Sequence, residues 1–132
     1  MSKLSMALAA AGLTFVAGGA AAQLGNAAMP IELKMKRGTD SLTVHGRLEP
    51  DVACCTYVFK AAAGQTLSWR ETGAAVRLVI TYPDGRSEGP GFANPLLLKA
   101  SGVYTLAVTP DTMADNAYGP FTLNLRIPPA GR

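Results

Sequence analysis

The stretch Val76-Arg77-Leu78-Val79-Ile80-Thr81-Tyr82-Pro83-Asp84-Gly85 (VRLVITYPDG) carries the reading of the whole chain. Val76, Leu78, Ile80 and Tyr82 alternate with their neighbours at a period of two. That is the spacing at which an extended chain turns residues toward one face. Pro83-Asp84-Gly85 then ends the run with a turn that has a mechanism: proline presets φ and glycine accepts φ > 0. A half-buried strand followed by a tight turn is the repeating unit.

The same unit recurs on both sides. Toward the C-terminus, Arg86 to Asn94 is rich in glycine and holds Pro90, so it reads as a loop. Leu96 and Leu98 open a short strand that ends at Ser101-Gly102, and Tyr104, Leu106 and Val108 alternate again. Pro110 to Pro120 reads as a second long loop with a helical turn near Thr112 to Ala114. Phe121, Leu123, Leu125 and Ile127 form the last strand, stopped by Pro128-Pro129. Toward the N-terminus, Leu67 and Trp69 follow a break at Gly64-Gln65. Tyr57, Phe59 and Ala61 oppose Thr56, Val58 and Lys60. Leu42 and Val44 lead to Leu48, and Ile31, Leu33 and Met35 alternate with Glu32, Lys34 and Lys36. No window sustains a period of 3.6. With 14 glycines and 9 prolines to punctuate it, the pattern predicts an all-β fold: an antiparallel, jelly-roll-like β-sandwich of about eight short strands.

The first residues are of a different kind. Lys3 precedes an apolar run from Leu4 to Val16, and Ala20-Ala21-Ala22 follows. Charge, apolar run and small residues in that order describe a secretory leader over residues 1–22, leaving a single domain over 23–132. The run is shorter than the roughly 18–20 residues that cross a bilayer, and no cysteine near the cleavage site offers a lipid anchor. A periplasmic or secreted protein, free of the membrane after cleavage, is the expectation. Of the net charge of +3, Lys3 leaves with the leader, and +2 remains. So weak a charge argues against nucleic acid as a partner.

Catalytic equipment is sparse. His45 is the one histidine, in a predicted strand with no ligand cluster around it, and reads as a partly exposed strand residue. No serine sits in a nucleophile elbow, no carboxylate pair shares a strand, and no glycine loop precedes a helix. A binding protein without enzyme activity, cofactor or metal is expected. Cys54 and Cys55 are adjacent. Free thiols, a vicinal bridge, an intermolecular bridge through Cys54 that makes a homodimer, and metal ligation are the alternatives. Strand alternation turns Cys55 inward with Tyr57 and Phe59 and Cys54 outward.

Several segments together carry a resemblance: IELKMKRG (31–38), Gly46-Arg47-Leu48, TYVFKAAAGQ (56–65) and ASGVYTL (100–106), with a closing strand after Met113-Ala114-Asp115. In order and spacing the chain resembles the periplasmic proteinaceous lysozyme inhibitors of the g-type and i-type families, which are small secreted β-sandwiches. The Y-x-F…GQ and SG-x-Y-x-L elements also resemble those of bacterial pre-peptidase C-terminal domains. The resemblance implies a protein that blocks g-type or i-type lysozyme, or another cell-wall hydrolase, with protruding loops. It points to Ser101, Gly102, Val103 and Tyr104 as partner contacts, with Thr112, Met113, Asp115 and Asn116 as a second contact. Tyr104 is also in phase with Leu106 and Val108, so a core position is the competing reading. The loop before the last strand has no arginine where g-type inhibitors carry one, and Glu49-Pro50-Asp51-Val52 lacks their tyrosine. The alternative function is a non-inhibitory sandwich module that binds glycan or protein, with Trp69 stacking on a sugar if exposed.

Overall fold

The computed structural model describes residues 25–36, 38–52 and 54–129. The leader at 1–22 lies outside the described residues. Nine strands form two sheets: β1 (Ile31–Glu32), β2 (Ser41–Leu48), β3 (Thr56–Ala61), β4 (Thr66–Gly73), β5 (Val76–Thr81), β6 (Ser87–Glu88), β7 (Leu96–Leu97), β8 (Gly102–Pro110) and β9 (Gly119–Arg126). One sheet runs β1-β3-β8-β5-β6 and the other β2-β9-β4-β7. From β2 to β9 the chain passes repeatedly from one sheet to the other, and these two orders are those of a jelly roll. All pairings are antiparallel except β1 with β3.

The period-two pattern fills the space between the sheets. Tyr57 and Phe59, Leu78 and Ile80, and Tyr104, Leu106 and Val108 come from one sheet. Val44 and Leu48, Leu67, Leu96, and Phe121, Leu123 and Leu125 come from the other. Leu78 and Ile80 are thus buried as their alternation predicts, and Gly85 N–H closes the turn onto the Tyr82 carbonyl. Gly46 faces Phe121 across the β2–β9 ladder. A Cβ there would lie 2.7 Å from Phe121 Cε2 and 3.0 Å from the Tyr57 hydroxyl. Glycine is what lets the Phe121 ring enter the core at that level.

Two segments run differently from the sequence reading. The alternation of Ile31, Leu33 and Met35 predicts one strand, yet only Ile31 and Glu32 pair with β3. After Leu33 N–H bonds to the Val58 carbonyl, the chain leaves the sheet to reach β2 in the opposite one. Leu33 and Met35 still pack on the core, so the alternation reports burial without a ladder. In the predicted loop 86–94, Ser87 and Glu88 pair with Thr81 and Ile80 as β6. Two residues following a hairpin turn are too few to show a period.

Candidate functional site

A jelly roll has two ends, and the predicted contact residues divide between them. Gly102 pairs with Ala61 at one end of β8, and Pro110 pairs with Val76 at the other. A nine-residue strand spans roughly 27 Å. Ser101, Gly102, Val103 and Tyr104 therefore stand a full strand length from Thr112, Met113, Asp115 and Asn116. The two groups project from opposite ends and do not form one surface.

At the first end, most of the SGVY segment is occupied by the fold. The Tyr104 ring is 0% exposed, stacked on Phe59 at 5.6 Å between centroids and met edge-on by Tyr82 at 5.9 Å. Its hydroxyl donates to the Ala100 carbonyl at 2.6 Å, tying the turn before β8 to the core. Ser101 Oγ accepts from Ala63 N–H at 2.9 Å, which joins this turn to the β3–β4 turn. Gly102 has φ +150°, and a Cβ there would come within 2.8 Å of Pro83 Cβ. Val103, 47% exposed, is the member whose side chain faces outward.

The second end carries a pinned and exposed loop. The loop from 111 to 118 is pinned at its base: Asp111 N–H bonds to the Ala75 carbonyl at 3.1 Å, and Asn116 accepts from Ala75 N–H at 2.7 Å through its own carbonyl. The Asn116 side chain also donates to the Gly73 carbonyl at 3.3 Å, and Asp111 pairs with Arg77 at 3.5 Å. Asp111 caps the turn above it, accepting from Met113 N–H at 3.2 Å through its carboxylate and from Ala114 N–H at 2.9 Å through its carbonyl. That turn is where the sequence predicts a helical one. Met113 stands at its tip, 88% exposed, with Thr112 and Asp115 exposed beside it.

Sequence reasoning missed two exposed residues around this loop. Tyr118, 44% exposed, is its last residue, and Val52, 54% exposed, lies on the β2–β3 loop at the same end. Apolar residues flanked by loop polar residues were the available signal. Between Val52 and β3, Cys54 and Cys55 form a vicinal disulfide. Of the alternatives for the pair, the vicinal bridge is the one formed, and the homodimer through Cys54 is not shown, with no described cysteine free. The bridge corrects the outward placement of Cys54. Cys55 has φ +73° and precedes β3, so strand alternation does not govern the pair. Both sulfurs face one way, 3.2 and 3.6 Å from the Arg47 carbonyl oxygen. Glu49 pairs with Arg47 at 2.8 Å, while Asp51 and Asp115 make no ion pair among the described residues.

The remaining candidates are placed as follows. His45 is exposed on β2 with Thr122 Oγ1 at 3.3 Å, and no group of three metal-ligating side chains occurs among the described residues. Trp69, whose phase with Leu67 favours a core position, is half-buried. Its ring lies tilted against Phe92 at 4.8 Å, in the wall of a cleft of ≈ 310 Å³ with Glu71, Arg77 and Pro90. Tyr57 is pushed above the ordinary tyrosine range by burial. Tyr82 is pushed up to about 12, first by burial and then by its hydrogen bond to, and the charge of, Glu88.

No protein-family model matches the sequence, and no curated protein matches it. Solved structures do. A mutant of PliG-Ec, a periplasmic lysozyme inhibitor of g-type lysozyme from Escherichia coli, matches with TM-score 0.57 at 20% identity, over 74% of this chain and 96% of that one. Salmonella Typhimurium PliG, a periplasmic lysozyme inhibitor of g-type lysozyme, matches with TM-score 0.52 at 19% identity, over 74% and 96%. Aeromonas hydrophila PliG, of the same description, matches with TM-score 0.53 at 20% identity, over 74% and 95%. At these identities the likeness establishes a shared fold, and it takes in nearly the whole of each neighbour.

Proposed function

We propose that this protein is an exported, non-catalytic inhibitor of a lysozyme, and that it docks through the loop end carrying Met113. The observation that carries the docking surface is the pinned loop 111–118, which holds Met113 almost wholly in solvent beside a second loop bearing Val52. A preorganised surface loses less entropy on binding, and exposed methionine and tyrosine adapt well to a partner's apolar pocket. The shared fold with inhibitors of g-type lysozyme supports the target class. A secretory leader over 1–22, as the sequence predicts, would carry the protein to the periplasm, where such an enzyme would be met. Thr112, Asp115 and Asn116 flank the contact. Ser101, Gly102 and Val103 form a rival contact at the other end, with Tyr104 holding them in place from the core.

The test is inhibition of cell lysis by g-type, i-type and c-type lysozymes, with the purified protein and two sets of variants. Met113→Asp with Val52→Asp should weaken inhibition by at least tenfold, while Val103→Asp leaves it unchanged. The reverse result moves the contact to the Ser101 end. No inhibition of any lysozyme at micromolar excess defeats the proposal.

One observation favours a second reading, a glycan-binding module. Trp69 lines a cleft together with Glu71 and Arg77, so an apolar ring and two charged side chains meet there. A shift of Trp69 fluorescence on adding peptidoglycan fragments, without lysozyme inhibition, would support that reading.

A further inference from the structure

The two open sides of the sandwich are each crossed by a strap, and the one between β1 and β2 does not fill the space beneath it. Residues 33–36 and 38–40 pass from the edge of one sheet to the edge of the other. The strap is tied by Leu33 N–H to the Val58 carbonyl and by the turn from Lys36 to Thr39. Below it lies a cavity of ≈ 510 Å³ walled by Leu33, Met35, Leu42, Phe59, Leu125 and Ile127. Protein interiors are normally packed to the density of organic crystals, and small-molecule sites occupy roughly 300–1,000 Å³. A half-open apolar chamber of this size has the form of a binding site.

Its chemistry narrows the ligand. The walls are mostly apolar: Phe59 has its ring stacked on Tyr104, and Thr39 has its hydroxyl turned to the Lys36 carbonyl at 2.7 Å. Gln65 reaches the chamber with its amide already held, accepting from Ala62 N–H at 2.6 Å and donating one N–H to the Pro128 carbonyl at 2.9 Å. A polar ligand body would go unsatisfied inside, because a buried polar group needs a partner. Charge is available only at the mouth, where Lys34 and Lys60 stand with Glu32. Neither lysine makes an ion pair among the described residues, so the described lining sets two lysines against one carboxylate.

We infer that this chamber binds a single-chain aliphatic carboxylate, its chain under the 33–40 strap and its head group at Lys34 and Lys60. The site lies on the side of the sandwich toward the Ser101 end, where Lys60 pairs with Val103, and away from the Met113 end; the inference does not depend on lysozyme inhibition. It is tested on the purified protein with three probes of equal chain length: decanoate, decanol and decyltrimethylammonium. Calorimetry should show saturable binding of decanoate, about tenfold weaker binding of decanol, and none of the cation. Lys34→Glu with Lys60→Glu should weaken decanoate by at least tenfold. In methyl NMR spectra, decanoate should move the signals of Met35, Leu42, Leu125 and Ile127 and leave Met113 and Leu78 in place. These shifts are read on the unaltered protein, so the test holds even if the double variant fails to fold. No saturable binding below the micelle threshold, equal binding of all three probes, or shifts centred on Met113 would overturn the inference.

Discussion

Replacing Tyr104 with phenylalanine separates a structural tyrosine from a contact tyrosine. The substitution keeps the ring, its stack on Phe59 and its edge contact with Tyr82, so no cavity opens. What is lost is one hydroxyl that donates to the Ala100 carbonyl at 2.6 Å. Removing one partner of a buried hydrogen bond costs about 1–3 kcal/mol. Ala100 itself is exposed, so water can replace the hydroxyl on its carbonyl. The expected loss is therefore at the lower part of that range, about 1–2 kcal/mol. For a domain of about 100 residues this lowers Tm by roughly 4–10 °C. Urea unfolding followed by the fluorescence of Trp69, the one tryptophan, should show a lower midpoint with an unchanged slope. Lysozyme inhibition by the folded variant should equal that of the parent. Unchanged stability together with lost inhibition would refute the reasoning, because the hydroxyl would then act on a partner and not on the turn.

Gly46→Ala should destabilise by about 1–3 kcal/mol through overpacking, since the new methyl would meet the Phe121 ring and the Tyr57 hydroxyl; urea unfolding checks it, and a neutral result would mean the core yields at Phe121. Replacing both Cys54 and Cys55 by serine should cost only about 1 kcal/mol on the chain-entropy model, because a bridge between adjacent residues closes almost no loop. Non-reducing electrophoresis of the parent should give the monomer mass, and a reducible dimer would contradict the ring. Stability should also fall at high pH. Tyr82 is held at about 12 in the folded protein against about 10 when unfolded, so between those values the folded state binds more protons. Its contribution is complete below pH 10 and lost as pH rises to about 12. Denaturation midpoints across that range, with and without Glu88→Gln, measure it, and a flat profile would contradict the assignment.

Residues with a clean alternation were legible without coordinates. Leu78 with Ile80, Leu106 with Val108, and Leu123 with Leu125 are buried as their period requires, since one face of each strand meets the opposing sheet. Segments that depart from a regular ladder were legible in part. Leu33 and Met35 keep the burial of a strand while the chain crosses between sheets, because alternation records which side faces the core and not which edge supplies a partner. The candidate site was harder. Tyr104 and Thr112, the nearest members of the two groups, are only eight residues apart in sequence, but the extended strand Gly102–Pro110 carries the groups to opposite ends. Val52 and Tyr118 gave no periodic signal, although their loops meet at the end that displays Met113.

From the sequence alone follow the β class, the turns, most of the core and the leader expectation, because these rest on local periodicity and on residues a few positions apart. The tertiary structure decided the rest. The sheet orders brought the 111–118 loop to the end that holds the Cys54–Cys55 ring and left a chamber beneath the 33–40 strap. They also settled the two readings of Tyr104 by placing its ring between Phe59 and Tyr82. Such features depend on which distant segments meet, and a period of two says only that some face is covered, never by what.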